Sequence, residues 1–232
     1  MIAENLINLR KRIDLICQRC GRESKEIQLV AVSKNFSETA IQEAVQAGQI
    51  EIAENYVQEL QTKRNALSAY PIHWHFVGHL QSNKVKYIAE YIHLIHSVDD
   101  FGLGKEIQKR ASQHHRIQDI LVEVHTTDEA TKYGVKVERA LDLVKELSKL
   151  ENVRIKGLMT MGPFSDNPNE SRTSFRQLKE LSNTIESVGI ENVSMKQLSM
   201  GMTHDFEVAI EEGSTILRIG TAIFGRRMKD VQ

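Results

Sequence analysis

The feature that most constrains this chain is an alternation that runs almost its full length. Short apolar runs recur eight times: IQLVAVSK (27–34), IEIAE (50–54), IHWHFVG (72–78), IHLIHSVD (92–99), DILVEVH (119–125), RIKGLMTM (154–161), MKQLSM (195–200) and STILRIG (214–220). Amphipathic segments such as SETAIQEAVQAG, VERALDLVKELSKL and NESRTSFRQLKELSNTIESV separate them. Ser37 stands where a helix N-cap belongs, and Gly48 and Gly213 stand where helices stop. A strict strand–helix alternation demands parallel pairing through right-handed crossovers, and eight units is the number that closes a (β/α)8 barrel. An open doubly wound sheet is the alternative, and no G-x-G-x-x-G follows the first run to support it. At 232 residues, with no linker or repeat, the chain is expected to form a single domain over 1–232, an α/β TIM barrel preceded by an N-terminal helix.

Charge removes whole classes of partner. Lys and Arg number 30 against 31 Asp and Glu, so no bulk electrostatic case exists for nucleic acid or an anionic membrane. The opening MIAENLINLRKRIDLICQRCG mixes charges into a helical apolar pattern, unlike a signal peptide, and no stretch is apolar enough to span a bilayer. A cytoplasmic protein is expected. Cys17 and Cys20 lie inside that helical pattern with no second pair to complete a zinc site, and read as ordinary helix residues. Lys84, Lys86, Lys105, Lys109 and Arg110 read as solvated helix faces, and His114-His115 as a helix end.

Chemistry in a barrel gathers where strands end. LVAVSKN puts Lys34 at the end of the first buried run, which suits either a snorkelling side chain or a reactive amine. Asn55 follows the second run. The seventh and eighth runs end in small residues, and Ser199, Gly201, Gly220 and Thr221 are candidates for an anion site; tight turns are the competing explanation for the glycines. An amine at one strand end facing an anion cradle suits a phosphorylated carbonyl compound, pyridoxal phosphate (PLP) above all. Arg218 alternates with Leu217 and Ile219, so if those two face the helices it points inward. A guanidinium beside a pyridine nitrogen would keep that nitrogen unprotonated and weaken the ring as an electron sink.

The segments LVAVSKN, ENYVQEL, WHFVGHLQSNK, HSVD, GLMTMGP and LSMGMTHDFEVAIEEGSTILRIGTAIFG resemble the pyridoxal phosphate homeostasis protein family of PLP-binding barrels. The last of these, Leu198 to Gly225, is the most specific. The resemblance implies a barrel like the N-terminal domain of alanine racemase. It implies that Lys34 carries PLP as an aldimine, that Ser199, Gly220 and Thr221 hold the phosphate, that Arg218 meets the pyridine nitrogen and that Asn55 lies near the ring. The implied role is non-catalytic PLP binding in vitamin B6 homeostasis, with indirect effects on amino- and keto-acid metabolism. Departures are modest: Ile52-Ala53 stands where Phe-Gly is frequent, His79 where Pro is frequent and Thr203 where Ser is frequent, while TTDEATKYG, with Lys132 and Gly134, replaces a Ser-Lys-x-Gly segment.

Three functions follow for comparison. A PLP carrier or regulator has PLP as its ligand, with apo-PLP enzymes or a regulatory protein as candidate partners and a monomer as the expected state. A PLP-dependent amino-acid racemase needs acid–base groups on both faces of the substrate carbanion, and the sequence shows no second domain to supply one. A metal-dependent hydrolase would use His73, His75 and His125; no inward aspartate on the last run completes that set, and the expectation is no metal.

Overall fold

The computed structural model describes residues 1–127, 129 and 133–225, so Lys132 lies outside the described residues. Eight parallel strands close a barrel: β1 (Gln28–Val32), β2 (Glu51–Glu54), β3 (His73–Phe76), β4 (Leu94–Val98), β5 (Gln118–His125), β7 (Val153–Met159), β8 (Val193–Ser199) and β9 (Ile216–Ile219). Each pairs with the next in chain order, β5 with β7, and β9 returns to β1. A two-residue strand β6 (Val135–Lys136), not evident as an apolar run, adds to β5 outside the ring.

Around the barrel run α1 (Ile2–Arg19), α2 (Glu38–Gln46), α3 (Val57–Ala66), α4 (Phe101–Gln113), α5 (Val137–Leu147), α6 (Ser171–Ser187), α7 (Phe206–Glu211) and α8 (Thr221–Phe224). The expected caps are present: Ser37 Oγ accepts from Ala40 N–H, and Gly48 and Gly213 adopt positive φ. The N-terminal α1 packs against α2, α7 and α8, and Asn5 donates to the Ile223 carbonyl. Among the described residues no helix is long and apolar enough to cross a membrane.

Strand alternation divides the core in two. Val30, Ala53, Leu94, Leu121, Met159 and Ile216 point into the barrel, while Ala31, Ile52, Ile95, Ile120, Leu158, Leu217 and Ile219 pack outward under the helices. Each large aliphatic side chain fully buried there contributes roughly 1.5–3 kcal/mol.

One segment departs from its periodicity. SNKVKYIAEYI buries Val85, Ile88, Ala89 and Ile92 as an amphipathic helix would, yet it forms a 3-10 helix (Ser82–Tyr87) continued by turns. Its bonds mix i→i−3, as in Ile88 N–H to Val85 O, with i→i−4, as in Ala89 N–H to Val85 O. The same apolar stripe is thus buried by a tighter backbone.

Gly157 sits where β7 shifts register against β8. A Cβ there would lie 1.7 Å from the Gln197 carbonyl oxygen, so only glycine permits this pairing. Gly157→Ala is expected to lower unfolding stability by about 2 kcal/mol or more, measured as a shift in denaturant midpoint; an unchanged midpoint contradicts the close approach.

Candidate functional site

The C-terminal ends of the strands surround a cavity of about 220 Å³, sized for a small ring compound rather than a dinucleotide. Lys34, Asn55, Arg218, Gly220 and Thr221 all line it, with Val32, Phe36 and Val77. Five of the seven residues anticipated from the sequence therefore meet in one place.

Lys34 is half-buried, and the backbone on both sides of it is clamped. Lys63, on α3 and only 3 % exposed, donates to the Ser33 carbonyl (2.7 Å), to Glu54 Oε1 (2.6 Å) and to Glu59 Oε1 (2.7 Å). Ser33 Oγ donates to the same Glu54 oxygen (2.6 Å), and Asn35 N–H donates to Glu59 Oε1 (2.7 Å). Burial pushes the Glu54 carboxyl up and the Lys63 ammonium draws it back. Removing one partner of such a buried ion pair typically costs ~3–5 kcal/mol, so the network fixes the turn that carries Lys34. Asn35 completes the turn at φ 65°, and Phe36 stacks on Phe224 with ring centroids 5.0 Å apart.

Arg218 points into the barrel, as its alternation with Leu217 and Ile219 requires; it pairs with inward-facing Val30 and is 4 % exposed. Its guanidinium donates to the Thr160 carbonyl (2.8 Å) and to Ser199 Oγ (2.6 Å). Burial holds it down to about 10, against the raising influence of Asp205 and Glu123. It is a cation at neutral pH.

Ser199 and Gly201 do not line the cavity. The Ser199 hydroxyl is fully buried between Arg218 and His96 Nδ1 (2.8 Å). Gly201 takes φ 95° beneath Ala209, and its carbonyl accepts from Arg218 N–H. The hydroxyl that does reach the cavity from this loop is Thr203, whose Oγ1 lies 3.2 Å from Thr221 Oγ1 and accepts from Ala222 N–H (3.4 Å). Asp205 pins the loop by accepting from Met202 N–H (2.7 Å) and Ser171 Oγ (2.9 Å).

Beyond Ser199 a chain of hydrogen bonds descends inside the barrel: His96 Nε2 to His75 Nδ1 (2.9 Å), and His75 Nε2 to Glu51 Oε2 (2.7 Å). The Glu51 carboxylate can only accept, so with each imidazole carrying one proton His75 Nε2–H donates to it, His96 Nε2–H donates to His75 Nδ1 and the Ser199 hydroxyl donates to His96 Nδ1, while Ser199 Oγ accepts from Arg218. Burial, with the charges of His75 and Arg218, keeps His96 well below its ordinary range and therefore neutral. Burial disfavours ionisation of Glu51, but hydrogen bonds from His75 and His73 more than reverse this and hold it at about 2. His73 and His75 thus lie at the opposite end of the barrel from His125, which ends β5, and the three do not form one metal site.

Glu123 also faces inward, two residues beyond Leu121. Burial and the nearby Asp99 push its carboxyl up to about 7, with Arg218 offsetting part of the effect. Its ordinary value is ~4.3, so between these limits the folded chain holds the proton that the unfolded chain has lost, and stability falls as pH rises. Glu123→Gln is expected to gain stability over the parent by about 1–3 kcal/mol more at pH 8 than at pH 5. Denaturant midpoints at the two pH values check this; a pH-independent difference contradicts it.

Comparison with known proteins places this geometry. The family model for the alanine racemase N-terminal domain matches residues 5–228. The pyridoxal phosphate homeostasis protein of Aquifex aeolicus (strain VF5) is 44% identical over 224 residues, 97% of each chain. That of Escherichia coli (strain K12) is 34% identical, again over 97% of each. PipY of Synechococcus elongatus PCC7942, solved with PLP bound, superposes with a TM-score of 0.86 at 32% identity, covering 97% of this chain and all of PipY. An alanine racemase of Clostridium difficile 630 shares the fold alone, with a TM-score of 0.78 at 14% identity; 99% of this chain covers 57% of that one. With a closed barrel of the same topology and full-length relatives above 30% identity, the chain belongs to the pyridoxal phosphate homeostasis protein family.

Proposed function

We propose that the whole chain, 1–232, acts as a single domain that binds PLP at the barrel mouth, held as a Schiff base on Lys34, and takes part in vitamin B6 homeostasis rather than in turnover. The observation that carries this reading is the convergence of Lys34, Asn55, Arg218 and the Thr203–Gly220–Thr221 surface on one ring-sized cavity. The residues fit the group. The buried Asn55 Oδ1 has no hydrogen-bond partner among the described residues, as an atom awaiting a ligand would. Two hydroxyls 3.2 Å apart supply donors for a phosphate.

PLP, when bound, supplies an electrophilic carbonyl and an electron-accepting ring. The chain's own residues do the rest. The Lys63 network aims Lys34, Thr203 and Thr221 bind the anionic end, and Asn55 and Phe36 border the ring. Arg218, a fixed donor already committed to Thr160 and Ser199, would hold the pyridine end of PLP with a group that cannot accept, which would keep the ring nitrogen unprotonated and weaken the ring as an electron sink. Ser199 and Gly201 act behind this surface, the first by holding Arg218 and the second by shaping the turn. Holding rather than transforming is the function this arrangement suits, in a cytoplasmic monomer that exchanges PLP with apo-enzymes or a regulatory protein and so affects amino- and keto-acid metabolism indirectly.

A racemase reading draws on the adjoining cavity of about 290 Å³, which shares Met161, Met202 and His204 with the first and has room for a second small molecule. One experiment separates the two. Protein incubated with PLP and gel-filtered is expected to retain about one PLP per chain with a Schiff-base visible band, to lose it in Lys34→Ala, and to leave added L-amino acids unchanged. A colourless parent protein overturns PLP binding. Formation of a D-amino acid that Lys34→Ala abolishes overturns the non-catalytic role.

A further inference from the structure

The end of the barrel remote from the cavity holds a second cluster of ligating groups. The N-terminal ends of three neighbouring strands bring together Glu51, which opens β2, His75 on β3 and His93, the residue before β4. One ligand atom from each lies within 4.8 Å of the other two. Glu51 Oε2 and His75 Nε2 are 2.7 Å apart. The other carboxylate oxygen of Glu51 is held by His73 Nδ1 at 3.0 Å, and the His73 ring stacks on His93 with centroids 4.7 Å apart. His75 is fully buried whereas His93 is exposed, so the cluster has a fixed wall and an open side from which an ion can enter.

We propose that Glu51, His75 and His93 form a binding site for one divalent transition-metal ion of the zinc type, with His73 orienting the carboxylate.

Two imidazoles and a carboxylate with a fourth position open form a ligand set that zinc accepts, and imidazole nitrogen equally suits nickel or copper. Ligand atoms about a tetrahedral ion with bonds of ~2.0–2.1 Å lie ~3.3 Å apart. The Glu51–His75 pair therefore opens by only about half an ångström, a side-chain adjustment, and His93 closes in. A hydrogen-bonded carboxylate whose second oxygen is already anchored is the arrangement that raises metal affinity elsewhere.

Ligation has one further consequence. His75 must offer the Nε2 lone pair, so its ring carries the proton on Nδ1 and donates to His96, and the bonds through His96 to Ser199 reverse direction. Each imidazole keeps one proton, now on Nδ1, and Ser199 Oγ accepts from both Arg218 and His96, so no proton is gained or lost along the chain. Because the site lies at the N-terminal face of the barrel, where sequence features read as stability rather than chemistry, its role is to brace β2, β3 and β4.

The test uses tag-free, PLP-loaded protein, stripped of metal and dialysed against micromolar zinc alone. The parent protein is expected to retain one zinc per chain, and both His93→Ala and Glu51→Gln to bind at least about tenfold more weakly. His114→Ala, an exposed residue at the end of α4, keeps the parental affinity. His93 is on the surface, so its variant folds, and an unchanged PLP content in that variant shows that loss of zinc is separate from the cavity. A parent that retains no more zinc than His93→Ala overturns the site, as does zinc binding that neither substitution weakens.

Discussion

A permanently charged guanidinium inside a barrel is the constraint around which the rest of this structure is arranged. Burying a lone cation costs several kcal/mol unless hydrogen bonds and opposing charge compensate it. Here Arg218 on β9 is served by the Thr160 carbonyl just beyond β7 and by Ser199 on β8. From Ser199 the compensation passes through His96 on β4 and His75 on β3 to an ionised Glu51 on β2. Six strands or strand ends thus contribute to holding one side chain at the floor of the cavity. Any ring placed above Arg218 meets a group that donates and cannot accept.

The Lys63 network does for Lys34 what the histidine chain does for Arg218. Three acceptors share one buried ammonium, and all three belong to residues that bracket or support the lysine turn. The histidine chain runs inside the barrel and the Lys63 network ties α3 to the ends of β1 and β2, while the cavity itself is lined by Lys34, Asn55, Arg218 and two threonines among apolar side chains. Rigid placement below with an accessible mouth suits capture and release of a small molecule.

Much of this was legible in the sequence because it depends on periodicity alone. Eight apolar runs gave the closed barrel, and period-two alternation was enough to turn Arg218 inward and to place Lys34 and Asn55 at strand ends. What was not legible depends on distances across the barrel. Ser199 read as a phosphate ligand because small polar residues at strand ends often are; only the closed ring shows that Arg218 lies within 2.6 Å of it. Thr203 sits past the strand in a loop whose path no periodicity encodes. His73 and His75 share one strand face, and it is His96, inward on the neighbouring strand, that extends His75 into a chain. Lys63 lies on α3 among other polar residues, and nothing local in the sequence marks it as the partner of Glu54. The 3-10 segment is not distinguishable from an α-helix in the sequence, since its buried positions satisfy the helical spacing equally well.

The proposed function depends on which amine meets the cofactor. Reducing PLP-loaded protein with borohydride, digesting it and locating the pyridoxyl group by mass spectrometry addresses this directly. The expected result is modification confined to the peptide that contains Lys34. Modification of another lysine in place of Lys34, or none at all in protein that has bound PLP, contradicts the assignment.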